Sequence, residues 1–397
     1  MVPNLVDESR ALQQHLSEIR RDLHRHPELS FKEVRTARKI ADYLSSLGYE
    51  VTTGVARTGV IGILSGCSEG PTIAIRADID ALPVTELTGA PYASEIPGVM
   101  HACGHDVHTT CALGASRLLA NHRGELKGKV KVVFQPAEEI NAGAKELIKS
   151  GILENPKVDM IFGLHNHPEV PAGKVAIKEG PLMAAVDTIK ISVTGKGGHG
   201  ALPHRNIDPV VASAAIIINL QTVVSRNVDP QEPAVVTIGT IHGGTANNVI
   251  PDTVEMTGTV RTFNPAVREK MEGWLRRVVE GTAQSLGSKA ELYYRYDLPP
   301  VLNHPEATSI AKKAISLIAG EEGIVVPVPS MGGEDFALFQ EKVPGCFFWL
   351  GVGNSERGIV HPWHSPLFDV DESALPVGAG VLAQCVLLAA ERLSEGS

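Results

Sequence analysis

The chain has 397 residues, 43% hydrophobic and 20% charged, and a formal charge of −9. That length favours two domains, and the composition leaves ample material for packed cores in a soluble globular protein. Mild acidity, with no long Lys/Arg run, argues against a nucleic-acid partner or an acidic membrane surface.

Arg10 to His24 reads as an amphipathic helix, with Leu12, Leu16, Ile19 and Leu23 at helical spacing. Phe31 to Leu47 reads as a second helix, ended by Gly48. Val60 to Leu64 and Thr72 to Ile75 follow as buried strands, then an Ala/Leu-rich helix to about Ala120. Lys129 to Phe134 is a strand, Ala142 to Lys149 a short helix, and Met160 to Leu164 another strand. Strands alternating with helices imply an α/β sheet covered on both faces. From about Asp187 the rhythm changes. Thr188 to Val193 is a strand, Pro209 to Val224 a helix, Val235 to Ile241 and Thr253 to Thr262 strands, Pro265 to Leu286 a helix and Ala290 to Tyr296 a strand. This β-α-β-β-α-β order is the ferredoxin-like unit. Beyond Val301 helix and strand alternate again, with a strand at Phe347 to Leu350 and a closing helix at Ala374 to Leu393. The expected organisation is therefore a first domain made of residues 1–185 and 298–397, interrupted by an inserted small domain at 186–297.

The start of the chain shows no basic segment followed by an apolar stretch, so no secretory signal is expected. The longest apolar run, Val210 to Leu220, is short of the roughly 20 residues of a membrane span. Five cysteines, an odd number with no C-x-x-C, disfavour a disulfide scaffold and suit a reducing cytoplasm.

Several metal-ligand-type residues stand at the ends of apolar runs, where strands of an open α/β sheet deliver ligand sites. Cys103 and His105 form a C-x-H pair within Met100-His101-Ala102-Cys103-Gly104-His105-Asp106-Val107-His108. A thiolate with an imidazole suits a first-row divalent ion and is poor for Mg²⁺ or Ca²⁺. A buried thiol beside a structural histidine is the plainer alternative. Glu138-Glu139 follows the strand ending in Gln135-Pro136-Ala137. Two neighbouring acids there can divide labour, one binding metal and the other serving as base. His165 ends the next strand, and His364 lies in His361-Pro362-Trp363-His364. Asp78 and Asp80 follow the strand Thr72 to Ile75; either can ligate directly or orient a ligating imidazole from behind. Together these segments point to a metallohydrolase.

The same segments carry a family resemblance, in Leu23-His24-Arg25-His26-Pro27-Glu28-Leu29-Ser30, Arg76 to Pro83, His101 to Asp106, Gln135 to Glu139, and Gly163-Leu164-His165. It continues through Gly197-Gly198-His199-Gly200, Gly243 to Pro251, Ser330 to Phe336, and His364-Ser365-Pro366. The chain resembles the aminoacylase/carboxypeptidase family of metallopeptidases, in its amidohydrolase branch of hippurate, N-acyl-amino-acid and auxin-conjugate hydrolases. The resemblance implies a mixed-sheet, phosphorylase/hydrolase-like catalytic domain with an inserted lid that also carries a homodimer or homotetramer contact. It implies two divalent ions (Zn, Mn, Co or Ni) on Cys103, His105, Glu139, His165 and His364, with Cys103 bridging, and Glu138 as general base. The implied reaction is hydrolysis of N-acyl-L-amino acids, with a carboxypeptidase or dipeptidase as alternative. His199 is the candidate donor to the carbonyl oxygen, reaching the site from a partner subunit in relatives. Asn247 and Arg261 are candidates for the substrate carboxylate, Gly333 for close backbone approach, and Asp78 for orienting a ligand. A metal-free rival, with Cys103 as nucleophile and His105 or His108 as base, leaves Glu139, His165 and His364 without roles.

Overall fold

The structure, a computed structural model, describes residues 3–395. They fall into two compact units. One comprises the chain up to Gly180, Leu302–Val328, and the chain from Asp335; the other comprises Pro181–Val301 and Pro329–Glu334. The excursion Pro329–Glu334 lies outside the expected insertion 186–297. Main-chain bonds attach it to the second unit, from Ala184 N–H to Ser330 O (3.0 Å) and from Ser330 N–H to Leu182 O (3.0 Å). Such pairing leaves no trace in composition.

The first unit is built on one eight-stranded sheet. Its order is Glu50–Val55, Gly59–Ser65, Lys127–Gln135, Ser68–Asp78, Met160–Pro171, Gly345–Gly353, Val175–Ala176, Ile324–Val325. The strands from Lys127–Gln135 to Gly345–Gly353 run parallel, with antiparallel pairs at the Glu50 edge. Parallel strands are buried on both faces and so read as near-continuous apolar runs. Ile73, Ile75 and Ala77 point into the core that the helices His105–Asn121, Pro305–Ala319 and Leu375–Ser394 complete. Arg76, between them, lies on the opposite face and is equally buried. From Ser68–Asp78 the chain passes first to the neighbour on one side, Lys127–Gln135, then to the neighbour on the other, Met160–Pro171. Ser68–Asp78 is thus a topological switch point, whose carboxyl end is where a crevice opens.

Several elements differ from expectation. The first helix breaks at Leu12 into Val6–Ala11 and Gln13–Arg25. The second starts at Val34, where the Glu28 carboxylate accepts from the N–H groups of Arg35 (3.0 Å) and Thr36 (2.8 Å) and caps it from a distance. The strand from Met160 does not end at His165 but runs to Pro171, because residues 165–167 stay in parallel register with Trp349–Gly351.

Helix Gln13–Arg25 is tied to the start of His105–Asn121 by a buried ion pair, Arg20 Nε to Asp106 Oδ2 at 2.8 Å. Arg21 and Glu372 add a second pair at 2.6 Å. Removing one partner of the buried pair would cost about 3–5 kcal/mol, because the other charge would be left uncompensated.

The second unit is a four-stranded antiparallel sheet in the order Ala234–Gly243, Thr253–Thr262, Ala185–Thr194, Lys289–Leu298. Helices Pro209–Asn227 and Pro265–Ser285 cover it, giving the β-α-β-β-α-β order. Both helices start at a proline behind a capping side chain, Asp208 and Asn264. Ile189, Ile191, Ile216, Leu220, Met256, Leu275 and Val279 form its core. Asp187, fully buried, accepts from Arg268 (2.6 Å) and from the Tyr294 hydroxyl (2.7 Å).

Among the described residues, two helices are long and apolar enough to cross a membrane by length and composition, Pro209–Asn227 and Glu372–Ser394. The second is 89% buried in the core of the first unit. The first sinks only its Ala212, Ile216, Leu220 and Val223 side into its own sheet.

Candidate metal centre

The carboxyl end of Ser68–Asp78 supplies Asp78 and, two residues on, Asp80. The carboxyl end of the neighbouring Lys127–Gln135 leads through Pro136 and Ala137 to Glu138 and Glu139. Ala137 sits at φ 54°, a left-handed conformation costly for a residue with a Cβ. Its N–H donates to buried Glu33 at 3.0 Å. The next two N–H groups, of Glu138 and Glu139, both donate to the Asp80 carboxylate at 3.1 Å. Two buried acids upstream thus fix the backbone of the acidic pair.

Cys103 and His105 flank Gly104, which starts the helix His105–Asn121 at φ 81°. His165 lies in mid-strand. His364 sits at φ 65°, its N–H donating to Ala102 O at 2.8 Å, which brings the C-terminal loop onto the Cys103 segment.

These side chains converge. Cys103 Sγ is 3.6 Å from His165 Nε2. Glu139 lies between two imidazoles, with Oε1 3.7 Å from His105 Nε2 and Oε2 3.8 Å from His364 Nε2. The donor atoms of Cys103, His105 and His165 lie within 4.8 Å of one another; so do those of Cys103, Glu139 and His364, and of His105, Glu138 and Glu139. Cys103 belongs to both of the first two triplets. Cys103, Glu138 and His165 are each less than a tenth exposed and His105 is fully buried, whereas His364 is exposed.

Each buried imidazole is set for ligation by its far nitrogen. His105 Nδ1 faces Asp80 Oδ1 at 3.3 Å, and His165 Nδ1 donates to Asn166 O at 2.7 Å. The Nε2 atoms are thereby turned toward the cluster. His105 Nε2 and Glu139 Oε1 are buried without a hydrogen-bond partner. Such orphans are costly unless a ligand takes them up. The electrostatics agree. Burial pushes the Cys103 thiol well up, the Glu139 charge adds to it, and burial likewise raises Glu139. Burial would lower His105, but the Asp78 charge and the Asp80 hydrogen bond drive it well above its ordinary value. An anionic cluster that draws a proton onto an imidazole is one in which a divalent cation is at home. The donor set of sulfur, nitrogen and carboxylate oxygen fits a first-row metal.

Of the three histidines at 101, 105 and 108, only His105 turns into this cluster. His108 Nδ1 bonds Asp78 Oδ1 at 2.5 Å, and Asp78 Oδ2 accepts from Arg76 at 2.8 Å. Asp78 therefore braces His108, and reaches His105 Nε2 only at 3.8 Å. The carboxylate behind His105 is therefore Asp80 and not Asp78, the residue expected to orient a ligand, because Asp78 is taken up by His108 and Arg76. Asn166 and Trp363, which hydrogen-bond to each other at 3.1 Å beside the cluster, were not singled out. Their neighbours His165 and His364 were the only signal.

Seven of the sequence-derived site residues, Asp78, Cys103, His105, Glu138, Glu139, His165 and His364, lie in the first unit, and the other four in the second. Exposed His199 pairs in register with Val249, two residues beyond Asn247 in its exposed loop. Arg261 pairs with Val186. A Cβ on Gly333 would lie 2.3 Å from Val186 Cγ2, so packing inside the second unit already requires glycine there.

The comparisons fit this picture. Residues 74–388 match the model of peptidase family M20/M25/M40. The chain is 46% identical to the N-acetylcysteine deacetylase of Bacillus subtilis over 385 residues, 97% of this chain and 99% of that one. It is 41% identical to thermostable carboxypeptidase 1 of Saccharolobus solfataricus, across 96% of each. A dinuclear metal-binding peptidase from Bacillus subtilis superposes with a TM-score of 0.85 at 44% identity, covering 96% of this chain and 99% of that one. With its sheet, its ligand cluster and its sequence in agreement, the chain belongs to peptidase family M20/M25/M40.

Proposed function

We propose that this protein is a metal-dependent amidohydrolase that cleaves N-acyl-L-amino acids to a carboxylic acid and a free amino acid. The observation that carries the reading is the convergence of Cys103, His105, Glu139, His165 and His364, with Glu138 beside them and ligand atoms of His105 and Glu139 unpartnered. These five would hold two divalent ions, Zn, Mn, Co or Ni, with Cys103 the one residue common to the triplets Cys103/His105/His165 and Cys103/Glu139/His364. When bound, such ions polarise the substrate carbonyl and acidify a water.

Glu138 takes the proton of the attacking water and returns it to the leaving nitrogen. Its main-chain N–H is held by Asp80 at 3.1 Å. His199 donates to the carbonyl oxygen as charge grows there. Asn247 and Arg261 receive the substrate carboxylate, Arg261 through a two-pronged pair. Gly333 lets the backbone come close. The metal-free alternative is disfavoured, because a nucleophilic cysteine needs a lowered pKa and Cys103 is pushed up.

A homodimer or homotetramer formed through the second unit, acting as a lid, belongs to the same reading, as does a cytoplasmic location. The oligomer is supported by Val210, Val211 and Ile218, exposed on helix Pro209–Asn227, beside the edge strand Ala234–Gly243. The carboxypeptidase relative keeps short peptides open as a second substrate class. The test is hydrolysis of N-acetyl, N-benzoyl and dipeptide substrates by protein stripped with chelator and reloaded with Mn²⁺ or Zn²⁺. Activity should vanish and return with the metal, N-acyl amino acids leading. Activity indifferent to chelator would overturn the metal reading, and a preference for dipeptides would move it to the peptidase.

A further inference from the structure

Asn166 follows His165 in the strand Met160–Pro171 and is fully buried. Its Nδ2 donates to Cys103 O at 2.6 Å and lies 2.9 Å from His108 Nε2, which also accepts from the Asn166 N–H at 2.8 Å. Its Oδ1 accepts from Trp363 Nε1 at 3.1 Å. Both amide hydrogens and the carbonyl are therefore committed, so Asn166 has nothing left to offer a metal. Its contacts are not scattered. One goes to the main chain of Cys103, one to the residue before His364, and Asn166 itself follows His165. The base is rigid, since His108 is braced by Asp78, and Asp78 by Arg76, which also bonds Asp335 at 2.7 Å. Gly104 presses on the same amide, as a Cβ there would come 2.3 Å from Asn166 Nδ2.

We propose that Asn166 is the positioning residue of the metal centre: one amide that sets the Cys103 and His364 segments against His165, so that three ligands from distant parts of the chain meet in register. The proposal rests on the ligand assignment under Proposed function. Asn166→Asp tests it, because it keeps the shape while replacing both amide hydrogens by an acceptor that faces the Cys103 carbonyl and His108. The full chain is stripped with chelator and loaded with cobalt(II), whose thiolate charge-transfer band reports the bond to Cys103. The expected result is a weakened or shifted band and an affinity for cobalt lowered about 10–100-fold, with the circular-dichroism spectrum unchanged. A folded Asn166→Asp protein with the wild-type band and affinity overturns the proposal. Should that variant fail to fold, Trp363→Phe, which deletes the N–H to Oδ1 along with part of the ring that stands edge-on to His165 at 5.1 Å, is read instead. A several-fold loss of affinity supports the proposal, and wild-type affinity overturns it. A wild-type protein with no thiolate band overturns the ligand assignment and the positioning role together. A band that depends on Asn166 in a protein that cleaves no amide supports the positioning role and sinks only the substrate reading.

Discussion

Asp80→Asn is nearly isosteric, and its cost can be worked from four contacts. Oδ1 accepts from His105 Nδ1 (3.3 Å) and Glu138 N–H (3.1 Å); Oδ2 accepts from Ser30 Oγ (2.7 Å) and Glu139 N–H (3.1 Å). An asparagine has one acceptor oxygen. If that oxygen keeps His105 and Glu138, the Ser30 hydroxyl can turn to accept from the new amide, but the Glu139 N–H is left facing an N–H₂. An orphaned buried donor costs about 1–3 kcal/mol. The two contacts kept fall from charge-assisted to neutral strength, about 1 kcal/mol more. The whole is about 2–4 kcal/mol, and it falls on the orientation of the His105 imidazole and on the backbone of Glu139. Loss of a partner behind a ligand typically lowers metal affinity about 10–100-fold, which agrees in size. Chelator competition with Zn²⁺ or Mn²⁺ measures the affinity, and thermal melting of the metal-free protein measures the stability. Wild-type values in both would refute the idea that Asp80 orients this centre.

Glu138→Gln should leave metal content intact and lower turnover at least about 10²-fold, read by metal analysis alongside kinetics; retained turnover would remove Glu138 as base. Gly104→Ala places a Cβ at φ 81° and against Asn166, so melting temperature and metal affinity should both fall. A wild-type melt would show that the helix start can shift to absorb the methyl group. Burial lowers the Lys131 ammonium from 10.5 to about 8 while its Nζ donates to the carbonyls of Ile152 and Pro156. Between pH 8 and 10.5 the unfolded chain holds a proton that the folded one has shed. Stability relative to Lys131→Met should therefore rise with pH across that window, and a flat difference in denaturant titrations would refute it.

The buried elements were legible because burial on both faces writes continuous apolar runs, as at Val130 to Phe134. Helix starts at Pro209 and Pro265 were legible because a cap and a proline mark them. The half-exposed edge strand Glu50–Val55 was missed, since polar residues there carry no period and only pairing with Gly59–Ser65 orders them. The same holds for residues 166–171, where prolines and a glutamate read as loop and a neighbouring strand decides otherwise. At the candidate site the five candidate ligands, one thiol, three imidazoles and one carboxylate, stood out by residue type beside apolar runs, although His165 proves to lie in mid-strand and Cys103 and His105 at a helix start. Asn166 was not, because an asparagine amide announces nothing until the carbonyl of a residue 63 positions away stands in front of it. Asp78 was expected where Asp80 stands for the same reason. Which of two acids faces a ring is a matter of angles.

Cys103 and His364 stand 261 positions apart, on either side of the whole second unit. During synthesis the early strands and Cys103, His105, Glu139 and His165 emerge long before His364. Were these five the ligands, a full set would exist only when the last stretch of chain has been made and has closed onto the first. Metal that prefers the complete set draws the finished chain toward its folded form by mass action. It gives little to a prematurely ended one. A centre held by these five residues would thus distinguish finished molecules from truncated ones before any substrate is met.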